Sequence, residues 1–276
     1  MDSRGKWVFA VAVLLLAGIV GLVWREARLK TASQVPPVTA APEPAPVPAP
    51  APAPAASEPA IRYPIDTASA PAAGVADAAQ LLAEVFGAKA VRSMFQTQDF
   101  ARRFVATVDN LGRSHATPQL WPVNPAGGRF IVERRGDAQV LSADNTQRYT
   151  AYVLLLENVD MSMLAAAYRQ LYPAFQQAYE ELGYPGRYFN DRLVRVIDQL
   201  LAAPVPEGPL KVHLPTIAGT EQPQRPWVLY EFDDPALQSL SAGQRLMVRM
   251  GPVNERRVKA RLAEFRRLVA GEPARR

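Results

Sequence analysis

The stretch GYPGRYFNDRLVRVIDQLL, residues 183–201, lies between two helical patterns and decides how the main helices of the chain meet. Gly183 fits the left-handed position after a helix end, and Pro185 prevents that helix from continuing. Asn190 is predicted to cap the next helix, with Phe189 packing on the following turn as a hydrophobic staple. The stretch is therefore predicted to be a joint that turns the chain from one helix into another.

Charged and aromatic side chains are concentrated in the same turn. Asp191 suits the positive end of the next helix dipole and is predicted to pair with Arg195 one turn later. Four further side chains have no structural role that the pattern explains, and tyrosine rings are suited to stacking on a sugar or holding a peptide. If the domain has a binding site, these are its candidate residues: Tyr184, Arg187, Tyr188 and Arg192.

Apolar residues recur every three or four positions along most of the chain after residue 75, which predicts amphipathic helices. The predicted helices cover 76–86, 99–111, 145–156, 160–182, 190–201, a short turn from Asp234, 241–251 and 254–270. Asp160 and Ser241 are the predicted caps of two of them. Pro173 lies inside the longest pattern, so we expect a kink or a restart there.

Short alternating segments separate some of these helices and predict strands. The segment RFIVERRGDAQVL, residues 129–141, alternates around an Arg-Gly-Asp turn and predicts a hairpin. Residues 209–215 and 226–232 predict two further strands. Together these patterns predict a mainly α fold class, a compact helical domain at 75–272 with one or two small β-hairpins.

Residues 7–24, WVFAVAVLLLAGIVGLVW, are all apolar or glycine and predict a single transmembrane helix after a short tail at 1–6. A helix of this length reaches about 27 Å, near the hydrocarbon thickness of a bilayer. Trp7 and Trp24 lie at its ends, where indole rings favour the interface. A cleaved signal peptide is the alternative, but Arg25 directly follows the apolar core, so we expect an uncleaved anchor in the lipid bilayer.

The Pro/Ala-rich segment at 25–74 is predicted to be a disordered linker. Ten of the twenty-five residues between 36 and 60 are proline, and proline excludes a helix or a central strand. Such a segment favours extended polyproline II and spans up to roughly 80 Å. We therefore expect a single-pass protein of the bacterial inner membrane whose globular domain is periplasmic and stands away from the membrane.

The composition restricts the chemistry that the chain can support. There is no cysteine, so disulfides, thiolate metal sites and cysteine nucleophiles are excluded, and only two histidines are present. We expect no cofactor and no transition-metal site. A carboxylate site for Ca²⁺ or Mg²⁺ stays open at the acidic corner formed by Glu231, Asp233 and Asp234.

Neither histidine has the neighbours that catalysis requires. Ser114 is adjacent in the chain to His115, which is poor geometry for a nucleophile and its base. His213 lies on a predicted strand and is expected to be a half-buried structural residue. The sequence also lacks the G-x-S-x-G, G-x-G-x-x-G, Walker and H-E-x-x-H motifs.

The net charge of +5 is concentrated at the C-terminal end, where residues 245–276 contain ten Lys/Arg and three Asp/Glu. A basic end of this kind can meet nucleic acid, anionic lipid or an acidic protein. The arginines lie away from the apolar stripe of the last predicted helix, so a solvated helix face is the simpler interpretation. We do not expect nucleic acid to be a partner.

Three long motifs resemble a bacterial family of unknown function, the domain-of-unknown-function family 3014. They are FVATVDNL (104–111), YPAFQQAYEELGYPGRYFNDRLVRVIDQLLAAP (172–204) and YEFDDPALQSLSAGQRLMVRMGPVN (230–254). Members of that family similarly carry an N-terminal span and a proline-rich linker, so the resemblance implies the same architecture. The family has no established activity, and the resemblance implies no catalytic or binding residue.

Two functions remain open from the sequence. The anchor, the long linker and the lack of catalytic motifs favour an interaction or scaffolding module that binds an envelope protein or the cell wall. The alternative is a hydrolase or transferase of envelope polymers that uses carboxylates such as Glu180, Asp191 or Asp198. Two carboxylates in an open cleft, roughly 5–10 Å apart, would favour the enzyme, and carboxylates bound by arginines would favour the module.

Overall fold

Nine α-helices lie within the residues that the computed structural model describes, which are 60–66, 78–216 and 226–271. They are α1 (Ala78–Phe86), α2 (Ala88–Met94), α3 (Phe100–Leu111), α4 (Asn145–Glu157), α5 (Met161–Glu181), α6 (Phe189–Leu201), α7 (Pro235–Gln238), α8 (Ala242–Arg249) and α9 (Pro252–Ala270). The predicted transmembrane helix at 7–24 and most of the predicted linker at 25–74 lie outside the described residues. None of the nine helices combines the length and the apolar character that a membrane span requires.

Two small antiparallel hairpins accompany these helices. The first pairs β1 (Val132–Arg135) with β2 (Ala138–Leu141), and the second pairs β3 (Val212–His213) with β4 (Glu231–Phe232). Gly136 opens the turn of the first hairpin with φ 61°, a left-handed conformation that glycine adopts without strain. The prediction of a mainly helical domain with small hairpins is therefore confirmed.

The second hairpin is much shorter than the sequence predicts, because only two residues of 209–215 and two of 226–232 are paired. Pro226–Val228 forms a 3₁₀ turn instead of a strand. A proline cannot donate a ladder hydrogen bond, so it limits how far the pairing extends.

Side-chain caps begin two helices where the sequence predicts them. The Asp160 carboxylate accepts hydrogen bonds from the N–H groups of Ser162 and Met163, at 2.7 and 3.2 Å. Ser241 and Gln244 form a reciprocal capping box at the start of α8. These caps depend only on neighbours in the chain, and for that reason a local pattern is enough to predict them.

Helix α5 runs unbroken through Pro173, so the predicted restart is wrong. Buried Tyr172 and Phe175 on either side hold this part of the helix against the core, which offsets the lost backbone hydrogen bond. At the end of α5, Gly183 has φ 109° and donates its N–H to the Glu180 carbonyl at 3.0 Å. The predicted left-handed end is confirmed.

A helix that the sequence analysis missed follows α1 directly. Gly87, with φ 84°, ends α1 as expected, but the chain enters α2 at once. The rings of Phe86 and Phe95 lie 4.9 Å apart across this short unit. The unit therefore depends on a contact between the end of α1 and the end of α2. The apolar pattern of a single helix does not reveal such a contact.

Helices α3, α5, α6 and α9 enclose the main hydrophobic core. Phe104 of α3 packs against Phe175 of α5 with ring centroids 4.7 Å apart. Phe189 is the first residue of α6 and is fully buried, with its centroid 6.1 Å from that of Phe175. Phe189 is thus part of the helix and not, as predicted, a staple residue before the cap. Burying its ring contributes about 2 kcal/mol to the free energy of folding.

Asn190 lies within the first turn of α6, so its predicted role as the cap is wrong. Its Nδ2 donates to the carbonyl oxygens of Tyr63 and Val269 at 2.8 and 2.9 Å. Its Oδ1 accepts from the Tyr168 hydroxyl at 2.9 Å. The helix starts one residue earlier because Tyr188 already has the extended conformation of a cap, with φ −91° and ψ 121°. Asn190 thus joins the N-terminal segment, α5, α6 and α9.

Replacing Asn190 with alanine is expected to destabilise the protein by about 3–5 kcal/mol, because two carbonyls and a hydroxyl lose a buried partner. Chemical denaturation of the purified full-length protein, followed by far-UV circular dichroism, measures this change. Asn158→Ala is the matched control, since Asn158 is exposed and donates only to the Leu154 carbonyl. Its expected change is below about 1 kcal/mol, and equal effects of the two substitutions would contradict the central role of Asn190.

Candidate functional site

The turn at 183–192 binds a segment of the predicted linker. The Asp191 carboxylate accepts hydrogen bonds from the backbone N–H of Arg62, at 3.0 and 3.2 Å, and from that of Tyr63, at 2.8 Å. The predicted pair of Asp191 with Arg195 is wrong, because the carboxylate faces this segment and the Arg195 side chain is exposed. The carboxylate acts as an acceptor for two main-chain donors that would otherwise face solvent.

Tyr188 and Asn190 complete these contacts with the segment at 60–66. The Tyr188 hydroxyl accepts the backbone N–H of Ile65 at 2.8 Å, and Asn190 donates to the Tyr63 carbonyl at 2.8 Å. We call Tyr188, Asn190 and Asp191 the backbone clamp, because all three bind main-chain atoms of the same short segment. The candidate residue Tyr188 therefore has a partner within the chain.

Arg192 and Tyr184 are bound to the buried carboxylate of Asp109 on α3. Arg192 donates through Nε to Asp109 Oδ1 at 2.9 Å and through Nη2 to the Asp109 carbonyl at 2.8 Å. The Tyr184 hydroxyl donates to Asp109 Oδ2 at 3.2 Å, and Arg113 Nη2 lies 2.7 Å from the same oxygen. The negative charge of Asp109 is the main reason that the pKa of Arg113 is raised.

Arg187 is the candidate residue whose side chain is exposed. Its backbone carbonyl accepts a hydrogen bond from Gln176 Nε2 at 2.8 Å. The structure therefore gives Tyr184, Tyr188 and Arg192 contacts within the fold, where the sequence pattern had left them without one. Partner binding by the four residues stays a prediction, and Arg187 is the one most available for it.

Three tyrosines of the chain belong to the core. Tyr168, Tyr172 and Tyr179 lie on α5 and are buried. Burial raises the pKa of Tyr168 far above its ordinary value, and it also raises the pKa of Tyr172 and of Tyr179. The hydroxyls of Tyr168 and Tyr172 serve as hydrogen-bond donors, toward Asn190 and Gln176 respectively.

The three carboxylates of the enzyme alternative all accept hydrogen bonds from the protein. Glu180 Oε1 accepts from Gln176 Nε2 at 2.7 Å. Asp198 accepts from Arg266 through Nε at 2.5 Å and Nη2 at 3.1 Å, and this bond raises the pKa of Arg266. Asp191 belongs to the backbone clamp. Each carboxylate therefore has at least one donor within the protein.

The histidines and the acidic corner form isolated pairs. Ser114 Oγ lies 2.9 Å from His115 Nδ1 on an exposed loop. His213 Nδ1 lies 2.7 Å from Asp233 Oδ1 with 52% of its side chain exposed, which agrees with the expected half-buried histidine. Asp234 caps α7 by accepting the N–H of Ala236. Among the described residues no group of three or more His, Asp or Glu side chains could hold a metal ion.

An exposed surface beside the two hairpins contains an arginine stacked on a tryptophan. The Arg129 guanidinium lies 4.3 Å from the centroid of the Trp227 ring, within the range of a cation–π contact. Ile131 and Val228 lie next to this pair with 42% and 62% of their surface exposed. We call these four residues the arginine–tryptophan patch. The sequence carries no local signal for it, because its two halves are almost a hundred residues apart.

The backbone beneath the patch is held in place. Asn145 is fully buried, accepts the N–H of Ile131 at 3.0 Å and donates to the Ile131 carbonyl at 2.6 Å. Phe130 stacks on Tyr230 with centroids 5.5 Å apart, which links the two segments on the inner side. The exposed side chains of the patch are therefore presented by a fixed main chain.

Arg192→Ala is expected to destabilise the protein by about 2–3 kcal/mol, because it leaves the buried Asp109 carboxylate with weaker compensation. Arg187→Ala is the matched control from the same turn, and its exposed side chain predicts a change within about 0.5 kcal/mol. Urea denaturation of both purified variants measures the difference. A larger loss for Arg187→Ala than for Arg192→Ala would contradict the structural role assigned to Arg192.

Comparison with known proteins gives one match. A family model described as a protein of unknown function, DUF3014, matches residues 100–266, which include most of the core helices, the turn at 183–192 and the arginine–tryptophan patch. No curated protein and no solved structure matches the chain. Because the family model covers more than half of the sequence, the chain belongs to the DUF3014 family.

Proposed function

We propose that this protein is a membrane-anchored envelope protein whose folded domain is an interaction or scaffolding module held away from the inner membrane. The apolar segment at 7–24 supports the single-pass anchor, and the proline-rich segment supports the extended linker. Its partner is an envelope protein or a component of the cell wall. The domain lies on the periplasmic side in this proposal.

The observation that carries the proposal is the arginine–tryptophan patch. Tryptophan, tyrosine and arginine contribute most of the binding energy at protein interfaces. Here Arg129 and Trp227 already form a stacked pair, and Val228 is the most exposed large apolar residue among those described. A patch that is fixed before binding loses little conformational entropy when a partner covers it.

The backbone clamp supports the same arrangement. It holds residues 62–65 against α6, so the segment that leads toward the predicted anchor is attached to the core. When this segment is attached to the core, a shorter part of the linker is free to move between the domain and the predicted anchor. This suits a module whose distance from the membrane matters.

An enzyme that processes envelope polymers is the second candidate. A general acid or base must lie within hydrogen-bond reach of the substrate proton it transfers. Glu180, Asp191 and Asp198 are bonded to donors of the protein itself. These contacts hold the carboxylates in structural roles, whereas the patch has exposed side chains that a partner can contact directly.

Photocrosslinking in living cells tests the patch. A photoreactive residue at Val228 is expected to crosslink the full-length protein to a partner, because this side chain is 62% exposed at the centre of the proposed interface. Trp227→Ala is expected to reduce that crosslink at least about tenfold by removing the stacked aromatic anchor. The readout is the intensity of the shifted band on a gel.

Met163 on α5 provides the matched control, since it is a comparably exposed apolar residue, at 48%, in a separate segment of the chain. A photoreactive residue at Met163 is expected to give no partner crosslink. The proposal fails if both positions crosslink equally, or if Trp227→Ala leaves the Val228 crosslink unchanged.

Alkaline phosphatase fused to the C-terminus tests the placement of the domain. The enzyme folds only in an oxidising compartment because it needs disulfides, so an active fusion is expected for a periplasmic domain. A β-galactosidase fusion at the same position is the control and is expected to be inactive. A stable but inactive phosphatase fusion would place the domain in the cytoplasm.

A further inference from the structure

A cavity of about 460 Å³ opens between the first hairpin, the segment 206–210 and the junction of α8 with α9. Its volume lies in the range of small-molecule sites, roughly 300–1,000 Å³. Its wall includes apolar residues from β2 and α8 together with Arg135, Arg249, Glu255 and Arg256. Basic and acidic groups thus face the same space.

Glu255 is the unusual member of this wall because its side chain is 1% exposed. Its Oε1 lies 2.8 Å from Lys259 Nζ. Neither of its carboxylate oxygens accepts a hydrogen bond from any residue of the described chain. Leaving a charged group without such a partner in a buried site is unfavourable by a few kcal/mol. The cavity therefore contains an acceptor that lacks a donor.

Two positive groups lie beside the Glu255 side chain, the N-terminal end of α9 and the ammonium of Lys259. Glu255 lies in the first turn of α9, where the helix dipole favours a negative charge. Lys259 also donates to the Ala203 carbonyl at 2.5 Å, which fixes its ammonium beside Glu255 Oε1. Because neither oxygen of Glu255 accepts a hydrogen bond, the carboxylate can accept one from a ligand.

Arg249 supplies the complementary group. Its Nη2 donates to the Tyr230 carbonyl at 2.6 Å, while its buried Nε has no acceptor among the described residues. The guanidinium lies over the rings of Phe232 and Phe130, at 5.3 and 5.8 Å from their centroids. Burial lowers the pKa of Arg249, which reflects the unfavourable environment of its charge. An anion at this position would stabilise it.

We propose that this cavity binds a small zwitterion, an amino acid or the end of a short peptide, with its amine at Glu255 and its carboxylate at the arginines. A purely cationic ligand would satisfy Glu255 but would also face Arg135, Arg249 and Arg256. A purely anionic ligand would face the buried carboxylate. A zwitterion satisfies both sets of groups, and exposed Arg135 and Arg256 attract its carboxylate from solvent.

Isothermal titration of the full-length protein in detergent tests the ligand class. Dialanine is the probe, with N-acetyl-dialanine and dialanine amide as forms that lack one charge. Each blocked form is expected to bind at least about tenfold more weakly, because it loses a charge-assisted hydrogen bond. Free alanine separates the two sources: tighter binding of dialanine identifies a peptide end, and tighter binding of alanine identifies a free amino acid.

Glu255→Gln keeps the shape of the side chain and removes its charge, so dialanine is expected to bind this variant as weakly as the acetylated form binds the wild type. Arg256→Gln changes an exposed side chain at the rim of the cavity. Dialanine is expected to bind this variant more weakly, with an affinity closer to that of dialanine amide for the wild type. Glu264→Gln is the matched control on the same helix, outside the cavity wall, and is expected to leave affinity unchanged.

Arg256→Gln and the blocked peptides decide the question even if Glu255→Gln does not fold. Thermal unfolding by circular dichroism establishes whether each variant is folded before titration. The proposal is overturned if neither dialanine nor alanine binds the wild type. It is also overturned if the blocked forms bind as tightly as dialanine, or if Glu264→Gln weakens binding as much as Glu255→Gln.

Discussion

The buried amide of Asn190 is the contact on which the arrangement of the main helices depends. An asparagine side chain offers donors and an acceptor at once, and here it satisfies the carbonyls of Tyr63 and Val269 and the hydroxyl of Tyr168. No other residue type of similar size supplies both functions with this geometry. The N-terminal segment, the end of α9 and the middle of α5 therefore meet at one point on the first turn of α6.

Two other polar residues of the turn form hydrogen bonds that join it to α3. Arg192 and Tyr184 reach the carboxylate of Asp109, which is buried and also bound by Arg113. Burying a charge costs less free energy when the charge is paired and hydrogen-bonded, as that of Asp109 is. The concentration of polar and aromatic side chains in this turn is thus explained by its position between four elements. Of the four candidate binding residues, Arg187 is the one whose side chain is exposed, so contacts between these elements do not explain it.

The sequence predicts those features that depend on neighbours in the chain. Gly183 and Asp160 act within one turn of their own position, so their roles at the ends of α5 follow from local pattern. Asn190 has the composition of a cap, yet its partners lie 22, 79 and 127 residues away. Local rules identify such residues as polar and special but cannot name their partners.

The arginine–tryptophan patch and the cavity could not be predicted from the sequence, because both are formed by residues that are distant in the chain. Arg129 and Trp227 come together only because both hairpins lie side by side, as the bridge between Val140 and Lys211 shows. The sequence pattern makes Glu255 one more polar residue of an amphipathic helix, and its burial depends on residues that are distant in the chain. In both places the proposed function depends on side chains that the tertiary structure leaves exposed or without a hydrogen-bond partner. A sequence motif does not show which side chains these are.

Helix α9 sets the spacing between these features. Val269 near its end contacts the clamp residue Asn190, while Glu255 in its first turn faces the cavity. The two positions are fourteen residues apart, which is about 21 Å along an α-helix. Arg249, just before α9, contacts the Phe130 and Tyr230 pair that supports the patch. A continuous helix thus separates the residues that hold the segment at 60–66 from the cavity proposed to bind a ligand.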